Sequence, residues 1–224
     1  MTTAYRTKYR EYVAAIFELH EADLPVIQAR IADWLGVTRP SVSEMMKRME
    51  ADGLVALGEE VALTEEGRHL AEVVVRRHRL AERFLTEVLG MPWVKVHEEA
   101  EVWEHAISDD VEKAMWAKLD NPQTCPHGNP IPGAGYRPPP VEPIALLVGR
   151  VAELERISEE LELDDDIMDF LDVNGLRPGA RVETTARTPD GIITVRVNED
   201  AHVGLSSFIA ERVYVAQAEV SAAP

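Results

Sequence analysis

VIQARIADWLGVTRPSVSEMMKRMEADGLV, residues 26–55, contains two helical segments separated by LGVT. Gly36 supplies the C-terminal stop of the first, and Thr38 is placed to cap the second. Pro40 falls in the first turn of that second helix, where its missing N–H costs nothing. After Gly53, LVAL and VAL flank GEE and read as two short strands around a tight turn. Upstream, Tyr12, Ile16 and Leu19 form a helical stripe, so residues 1–63 read as three helices and a hairpin wing, a winged helix-turn-helix.

The second helix of the pair opens with Thr38, Arg39, Pro40, Ser41 and Ser43. Small and basic donors of this kind can enter a major groove and touch bases or phosphates. Lys47 and Arg48 lie farther along, in reach of a DNA backbone, and Gln28, in the preceding segment, is a further candidate for DNA contact. A small helical packing module without DNA contact is the plainer alternative.

The whole chain bounds these readings. Its 224 residues and 46% hydrophobic content suffice for one large or two to three small folded domains. No apolar run approaches the length of a membrane span, and MTTAYRTKYREYV lacks the hydrophobic middle of a secretion signal. A single cysteine, Cys125, excludes an internal disulfide framework and fits a reducing compartment, so the expected location is the cytoplasm. A net charge of −17, from 40 acidic and 23 basic residues, argues against non-specific nucleic-acid binding. Specific binding by a less acidic module stays open, and neutralising the acidic sites would ease it.

A long helix is expected from Thr64 to about Leu89, with Glu65 and Glu66 suited to its positive end. GMPW breaks it, and a further helix is expected to run to about Leu119. That helix contains HEEAEVWEH, residues 97–105, where His97, Glu101, Glu104 and His105 share a face. Val96, Ala100, Trp103 and Ile107 form an apolar line beside them, while Glu98 and Glu99 point elsewhere. The plain alternative is a solvated acidic face. Carboxylates held close beside a core are costly unless neutralised, and a divalent cation would do so. Two long amphipathic helices after a DNA-reading module suggest pairing with a second copy, a homodimer.

Residues 120–143, DNPQTCPHGNPIPGAGYRPPPVEP, read as a linker from their proline and glycine content. Beyond it, RVETTAR, GIITVRV and RVYVAQA read as strands, with TPDG as a hairpin turn and one helix around DDDIMDFLDVNGL. The expected third unit, residues 141–224, is a small β-barrel. The fold class is therefore mainly α with a small β domain: winged helix at 1–63, helical unit with linker at 64–140, barrel at 141–224.

ARIADWLGVTRPSVSEMMKRMEADGLV, RRHRLAERFL, HEEAEVWEHAISDDVE and CPHGNPIP together resemble the metal-dependent repressors that include the diphtheria toxin repressor and the manganese transport regulator. The likeness covers nearly the whole chain, and HRLAERFL followed by EVWEHAISD is its most specific part. It implies a homodimeric repressor that binds a palindromic double-stranded operator when loaded with Mn²⁺ or Fe²⁺, with an SH3-like, FeoA-type C-terminal domain. It implies a primary metal site at Glu104 and His105, with Glu101 and Glu11 completing it. It further implies a second cluster of His78, Glu82 and His97, extended in some manganese-responsive relatives by a Cys-x-His pair matching Cys125 and His127. Asp164 is the candidate acidic ligand from the third domain, and a plain loop thiol is the alternative for Cys125.

Iron-responsive relatives are similar except for methionine and cysteine at the positions of Glu11 and Glu101. Three carboxylates and one imidazole suit a hard ion, so the expected metal is Mn²⁺, with Fe²⁺, Co²⁺ or other divalent ions as substitutes in vitro. The two-domain manganese regulator carries a second first-helix glutamate where this chain has Ala14, so a tightly coupled metal pair of that kind is not expected. The competing functions are an iron-dependent repressor of uptake genes, a metalloenzyme, and a regulator sensing an organic ligand. No HExxH arrangement or nucleophile supports the enzyme.

Overall fold

Thr38 adopts an extended conformation and its hydroxyl accepts the amide of Ser41 at 3.3 Å, starting a helix at Arg39. Gly36 at φ +62° makes the turn before it, a conformation that L side chains rarely adopt. The computed structural model describes residues 3–147, 149–198 and 201–217. The outer ends of the expected first and third units, 1–2 and 218–224, lie outside the described residues, as does the last residue of RVYVAQA.

The head comprises α1 (Thr3–Glu21), α2 (Gln28–Trp34), α3 (Arg39–Ala51) and a hairpin of β1 (Val55–Leu57) and β2 (Val61–Leu63). The strands pair antiparallel, Val55 opposite Leu63 and Leu57 opposite Val61. Ile16 and Leu19 of α1 pack with Ile31 of α2 and Met46 and Met49 of α3 in one buried core. Each such side chain contributes about 1.5–3 kcal/mol on burial, which fixes α3 against the long first helix.

Thr64 caps α4 (Glu65–Glu87) by accepting the amide of Gly67 at 3.1 Å. The expected single helix through the histidine motif is two: α5 (Val96–Ala106) and α6 (Asp109–Lys118). Ile107 turns extended, and Ser108 accepts the amide of Val111 and caps α6, whose first turn carries Asp109, Asp110 and Glu112. A side-chain cap followed by acidic residues starts a helix more favourably than the old one continues. Arg77 then ties α4 to α6 through Glu112 at 2.8 Å and Asp109 at 2.5 Å.

The third unit holds β3 (Val141–Pro143), β4 (Val151–Ile157), α7 (Glu159–Glu162), α8 (Asp165–Val173), β5 (Arg181–Arg187), β6 (Ile193–Val197), β7 (Ala201–Leu205), α9 (Ser207–Ala210) and β8 (Val213–Gln217). Its strands form an antiparallel sheet in the order β3-β8-β4-β5-β6-β7. The three expected strands are β5, β6 and β8, with 188–191 turning between β5 and β6; β3, β4 and β7 are additional. Register shifts at Leu154/Arg156 and Thr184/Ala186 bend the strands. Trp93, from the segment between α4 and α5, joins the core of this unit beside Leu161, Met168 and Leu171. Its indole N–H donates to the carbonyl of Pro126 at 3.0 Å, so the helical unit, the linker and the sheet meet at one side chain.

The first part of the proline-rich stretch is a packed turn rather than a loose linker. Cys125, His127 and Asn129 are all buried, with the Cys125 amide donating to the Asn129 carbonyl at 2.8 Å. Gly128, at φ +91°, lies so close to β4 that a Cβ there would fall 2.1 Å from the Glu155 carbonyl oxygen. Only glycine allows that approach, and it brings His127 and Asn129 inward on either side.

Candidate metal centre and DNA-reading face

Three elements carry ionisable side chains into the space beneath Trp93. His78 and Glu82 lie one turn apart on α4, His97 is on α5, and Cys125 and His127 come from the buried turn. Donor atoms of His78, Glu82 and His97 lie within 4.8 Å of one another, and those of Glu82, Cys125 and His127 do the same. Glu82 belongs to both groups and is the hub of the cluster.

The acidic residue from the third unit is Glu162, not Asp164. Glu162 Oε2 lies 2.9 Å from His127 Nδ1 and 3.3 Å from His97 Nδ1. Asp164 instead caps α8, accepting the amides of Asp166 at 3.0 Å and Ile167 at 3.1 Å. The cause is local: Glu159 begins α7 and Glu162 ends it, and only the second reaches the cluster from that end.

The rings are aimed by hydrogen bonds outside the cluster. His127 Nε2 donates to the carbonyl of Trp93 at 3.1 Å, which leaves Nδ1 facing Glu82 at 3.4 Å and Glu162. His78 Nδ1 meets Glu104 Oε2 at 2.9 Å, while its Nε2 faces Glu82 at 3.3 Å and His97 Nδ1 at 3.2 Å. Asn129 Nδ2 donates to the Ile157 carbonyl at 2.8 Å and to Glu162 Oε1 at 3.0 Å, steadying that carboxylate from behind.

Charge within the cluster is strongly displaced from ordinary values. Burial opposes the positive charge on His78 and His127, but Glu82 with Glu104 around the first, and Glu162 with Glu82 around the second, outweigh it and hold both well above the usual range. His97 is likewise pushed up to about 10, burial being outweighed by Glu162 and Glu82. Burial alone would keep Glu82 neutral, yet His127 and His78 hold its carboxyl well below the usual range. The Cys125 thiol is pushed up to about 12 by burial and then by the charge of Glu82.

Both oxygens of Glu82, Oε2 of Glu162 and Nε2 of His97 are buried and receive no aligned hydrogen bond. Leaving such atoms unsatisfied costs about 1–3 kcal/mol each, more when charged. A divalent cation resolves that cost, and carboxylate, imidazole and thiolate are its ligand types. The donor set therefore fits a metal.

The second group is more open. Glu11, Glu101 and His105 are exposed, while Glu104 is buried; all four line one cleft of about 840 Å³ between α1 and α5. Glu104 Oε1 lies 3.6 Å from His105 Nδ1, and Glu101 Oε1 lies 3.8 Å from His97 Nε2. Burial raises the Glu11 carboxyl; His105 opposes the shift, and Glu104 and Glu101 add to it. These residues face one another across the cleft, but their donor atoms do not close into a shell.

On the head, Thr38, Arg39, Pro40, Ser41 and Lys47 are exposed, while Ser43 and Gln28 are half-buried. Thr38 and Ser41 share a 2.8 Å hydroxyl contact that shapes the start of α3. Arg48 is exposed and ion-paired with Glu44 one turn back, so its approach to a phosphate requires that surface pair to open.

Sequence reasoning missed Glu162 and also Arg79, which is fully buried and bridges Glu21 and Glu159. Glu162 lies within a dense acidic run, 159–166, where spacing alone favours no position. Arg79 sits among charged neighbours in RRHRLAER, and nothing in its sequence context separates a buried arginine from an exposed one.

Residues 5–62 match the family described as "Iron dependent repressor, N-terminal DNA binding domain", and residues 64–133 the "Iron dependent repressor, metal binding and dimerisation domain". Residues 145–217 match the "FeoA domain". The iron-dependent repressor IdeR of Mycobacterium tuberculosis (strain ATCC 25618 / H37Rv) is 41% identical, covering 91% of this chain and 94% of its own length. The diphtheria toxin repressor of Corynebacterium diphtheriae is 38% identical, over 84% of this chain and 87% of its own. Among solved structures, a manganese-dependent transcriptional repressor in complex with manganese superposes with a TM-score of 0.85 at 34% identity, covering 94% of this chain and all of that one. These matches span nearly the whole chain, and it belongs to the family of iron-dependent repressors of the diphtheria toxin repressor type, which are metal-dependent transcriptional regulators.

Proposed function

We propose that this chain is a manganese-activated repressor that binds a palindromic operator as a homodimer and controls metal-uptake genes. The observation that carries the reading is the cleft where Glu11, on the first helix of the head, faces Glu101, Glu104 and His105 on the dimerisation side. A divalent cation held there supplies the positive charge that lets three carboxylates share the site. Glu11 then ties α1 to α5, and α3 is fixed to α1 through their common core. The recognition helix so acquires one orientation relative to the rest of the protomer. Moving such an equilibrium from mostly unproductive to mostly productive needs about 5 kcal/mol of differential binding, which several ligands together can supply.

The oxygen-rich donor set favours Mn²⁺, a hard ion that binds weakly and is selected through ligand type and geometry. The description of the manganese-bound relative points the same way. A second reading, Fe²⁺ as the physiological activator, is favoured by the name of the mycobacterial relative. Leu89, Val102 and Val111 expose apolar side chains on the helical unit and suit contact with a second copy. Among the described residues no helix is long and apolar enough to cross a membrane.

The test is selection of duplexes from a randomised pool by the Mn²⁺-loaded full chain. The expected product is an inverted repeat whose half-sites are about one helical turn, or a multiple of it, apart. Equal recovery of all sequences would defeat the reading.

A further inference from the structure

Arg79 lies next to His78 on α4, has no exposed surface, and meets three segments remote in sequence. Its Nη1 and Nη2 donate to Glu21 Oε1 at 3.0 Å and Oε2 at 2.6 Å, at the end of α1. Nε and Nη2 donate to Glu159 Oε1 at 3.3 Å and Oε2 at 2.8 Å, at the start of α7, and Nη1 also donates to the Pro130 carbonyl at 2.5 Å. One guanidinium therefore holds two carboxylates bidentately, one from the DNA-reading head and one from the C-terminal unit. Only the planar fork of arginine can do this; a lysine would offer one rotatable ammonium.

A second pair of contacts joins the same two units. Tyr214 donates its hydroxyl to the Ala22 carbonyl at 3.2 Å, and Arg156 Nη2 donates to the Glu21 carbonyl at 3.2 Å. Arg156 also stacks 4.1 Å over the Tyr214 ring, which braces both donors. The last turn of the helix that carries Glu11 is thus gripped from outside the head.

α7 has only one turn, yet its ends serve different partners. Glu159 grips Arg79, and Glu162 faces His127 and His97 in the buried cluster. A shift of α7 as a unit moves both. We propose that Glu21–Arg79–Glu159 is an inter-domain clamp through which filling of the buried cluster steadies α1, making Arg79 a positioning residue for the DNA-reading head. The inference rests on the metal-gated repressor reading. Glu162, held by the filled cluster, fixes α7; Glu159 then fixes Arg79, and Arg79 fixes Glu21 together with the far end of the helix that carries Glu11.

The test is amide hydrogen exchange on the full chain, with chelator and with Mn²⁺, for the natural protein, Glu21→Gln and Arg79→Lys. Glu21→Gln keeps size and shape and leaves the buried Arg79–Glu159 pair intact, so it decides the matter if Arg79→Lys fails to fold. In the natural protein Mn²⁺ should slow exchange at residues 18–24; in Glu21→Gln that slowing should be lost while the number of Mn²⁺ ions bound stays the same. Operator affinity of the loaded variant should fall about tenfold, within the usual range of coupling between sites. Undiminished protection of 18–24 in Glu21→Gln would overturn the clamp. Failure of the loaded natural protein to retain operator DNA would overturn the repressor reading instead, and the exchange comparison would still decide the clamp.

Discussion

His78 stands between two carboxylates of the two candidate metal-binding groups: its Nδ1 lies 2.9 Å from Glu104 in the open cleft, and its Nε2 lies 3.3 Å from Glu82 in the buried cluster. With Nε2 engaged in the buried cluster, the proton resides on Nδ1 and is donated to Glu104, which orients that carboxylate beside His105. His78→Gln should therefore weaken Mn²⁺ binding at both groups, by roughly 10–100-fold at the cleft, where it supports Glu104 from behind, and by more at the buried cluster, where it is itself a donor. Isothermal titration resolves the two steps. A variant whose second, weaker step is unchanged would deny the link to Glu104.

The raised pKa values of His78, His97 and His127 mean that the metal-free cluster holds protons where a cation would bind. Those protons must leave on loading, so Mn²⁺ uptake at pH 7 should release about three protons per ion bound at the buried cluster, one from each of these histidines, measurable with a pH indicator in dilute buffer. For the metal-free fold the sign is opposite. A histidine whose folded pKa is raised stabilises the fold fully below its unfolded value, and that contribution is lost as pH climbs from about 6.5 towards the folded value of about 10 for His97. Metal-free protein should thus lose stability over that window while Mn²⁺ affinity increases. Uptake without proton release would contradict both expectations.

Gly128 tests the docking of the buried turn. A methyl group there meets the Glu155 carbonyl and the Arg156 backbone, and the positive φ adds strain. Gly128→Ala should cost on the order of 1–3 kcal/mol in urea unfolding and lower metal uptake at the buried cluster, because His127 and Cys125 ride on the same turn. Unchanged stability and stoichiometry would show that the turn is not held as described.

Arg39 heads the exposed edge of α3 and lies on a different element from every proposed ligand. Arg39→Ala should weaken operator binding and, for a phosphate contact, reduce the salt slope by about 0.9 per half-site, with the Mn²⁺ isotherm unaltered. Loss of metal binding in this variant would mean that the head and the metal centre are not separate modules.

The winged head was legible because its signals are local: Gly36, Thr38 and Pro40 each dictate their own backbone geometry. His97, Glu101, Glu104 and His105 were legible as a helical face for the same reason. The break at Ser108 carried a readable signal, a cap before three acidic residues, that competed with an unbroken apolar line and won. Glu162 and Arg79 were not legible, because their roles depend on where α7 lands against α4 across 80 residues of chain. Cys125 and His127 were singled out by the Cys-x-His pair that the family resemblance implies, but their complete burial follows from Gly128 fitting against β4, a contact that spacing cannot reveal.

In the proposed mechanism Glu11 and Glu101, which both line the α1–α5 cleft, make DNA binding depend on manganese. The most direct measurement is operator binding by the full chain against free Mn²⁺ under anaerobic conditions, for the natural protein and for Glu11→Met with Glu101→Cys, with Fe²⁺ as the parallel arm. The natural protein should release the operator in chelator and bind it on Mn²⁺ addition. The double variant, having exchanged two oxygen donors for sulfur, should need at least about tenfold more Mn²⁺ while keeping its response to Fe²⁺. Equal operator affinity with and without metal, or an unchanged Mn²⁺ midpoint in the double variant, would contradict it.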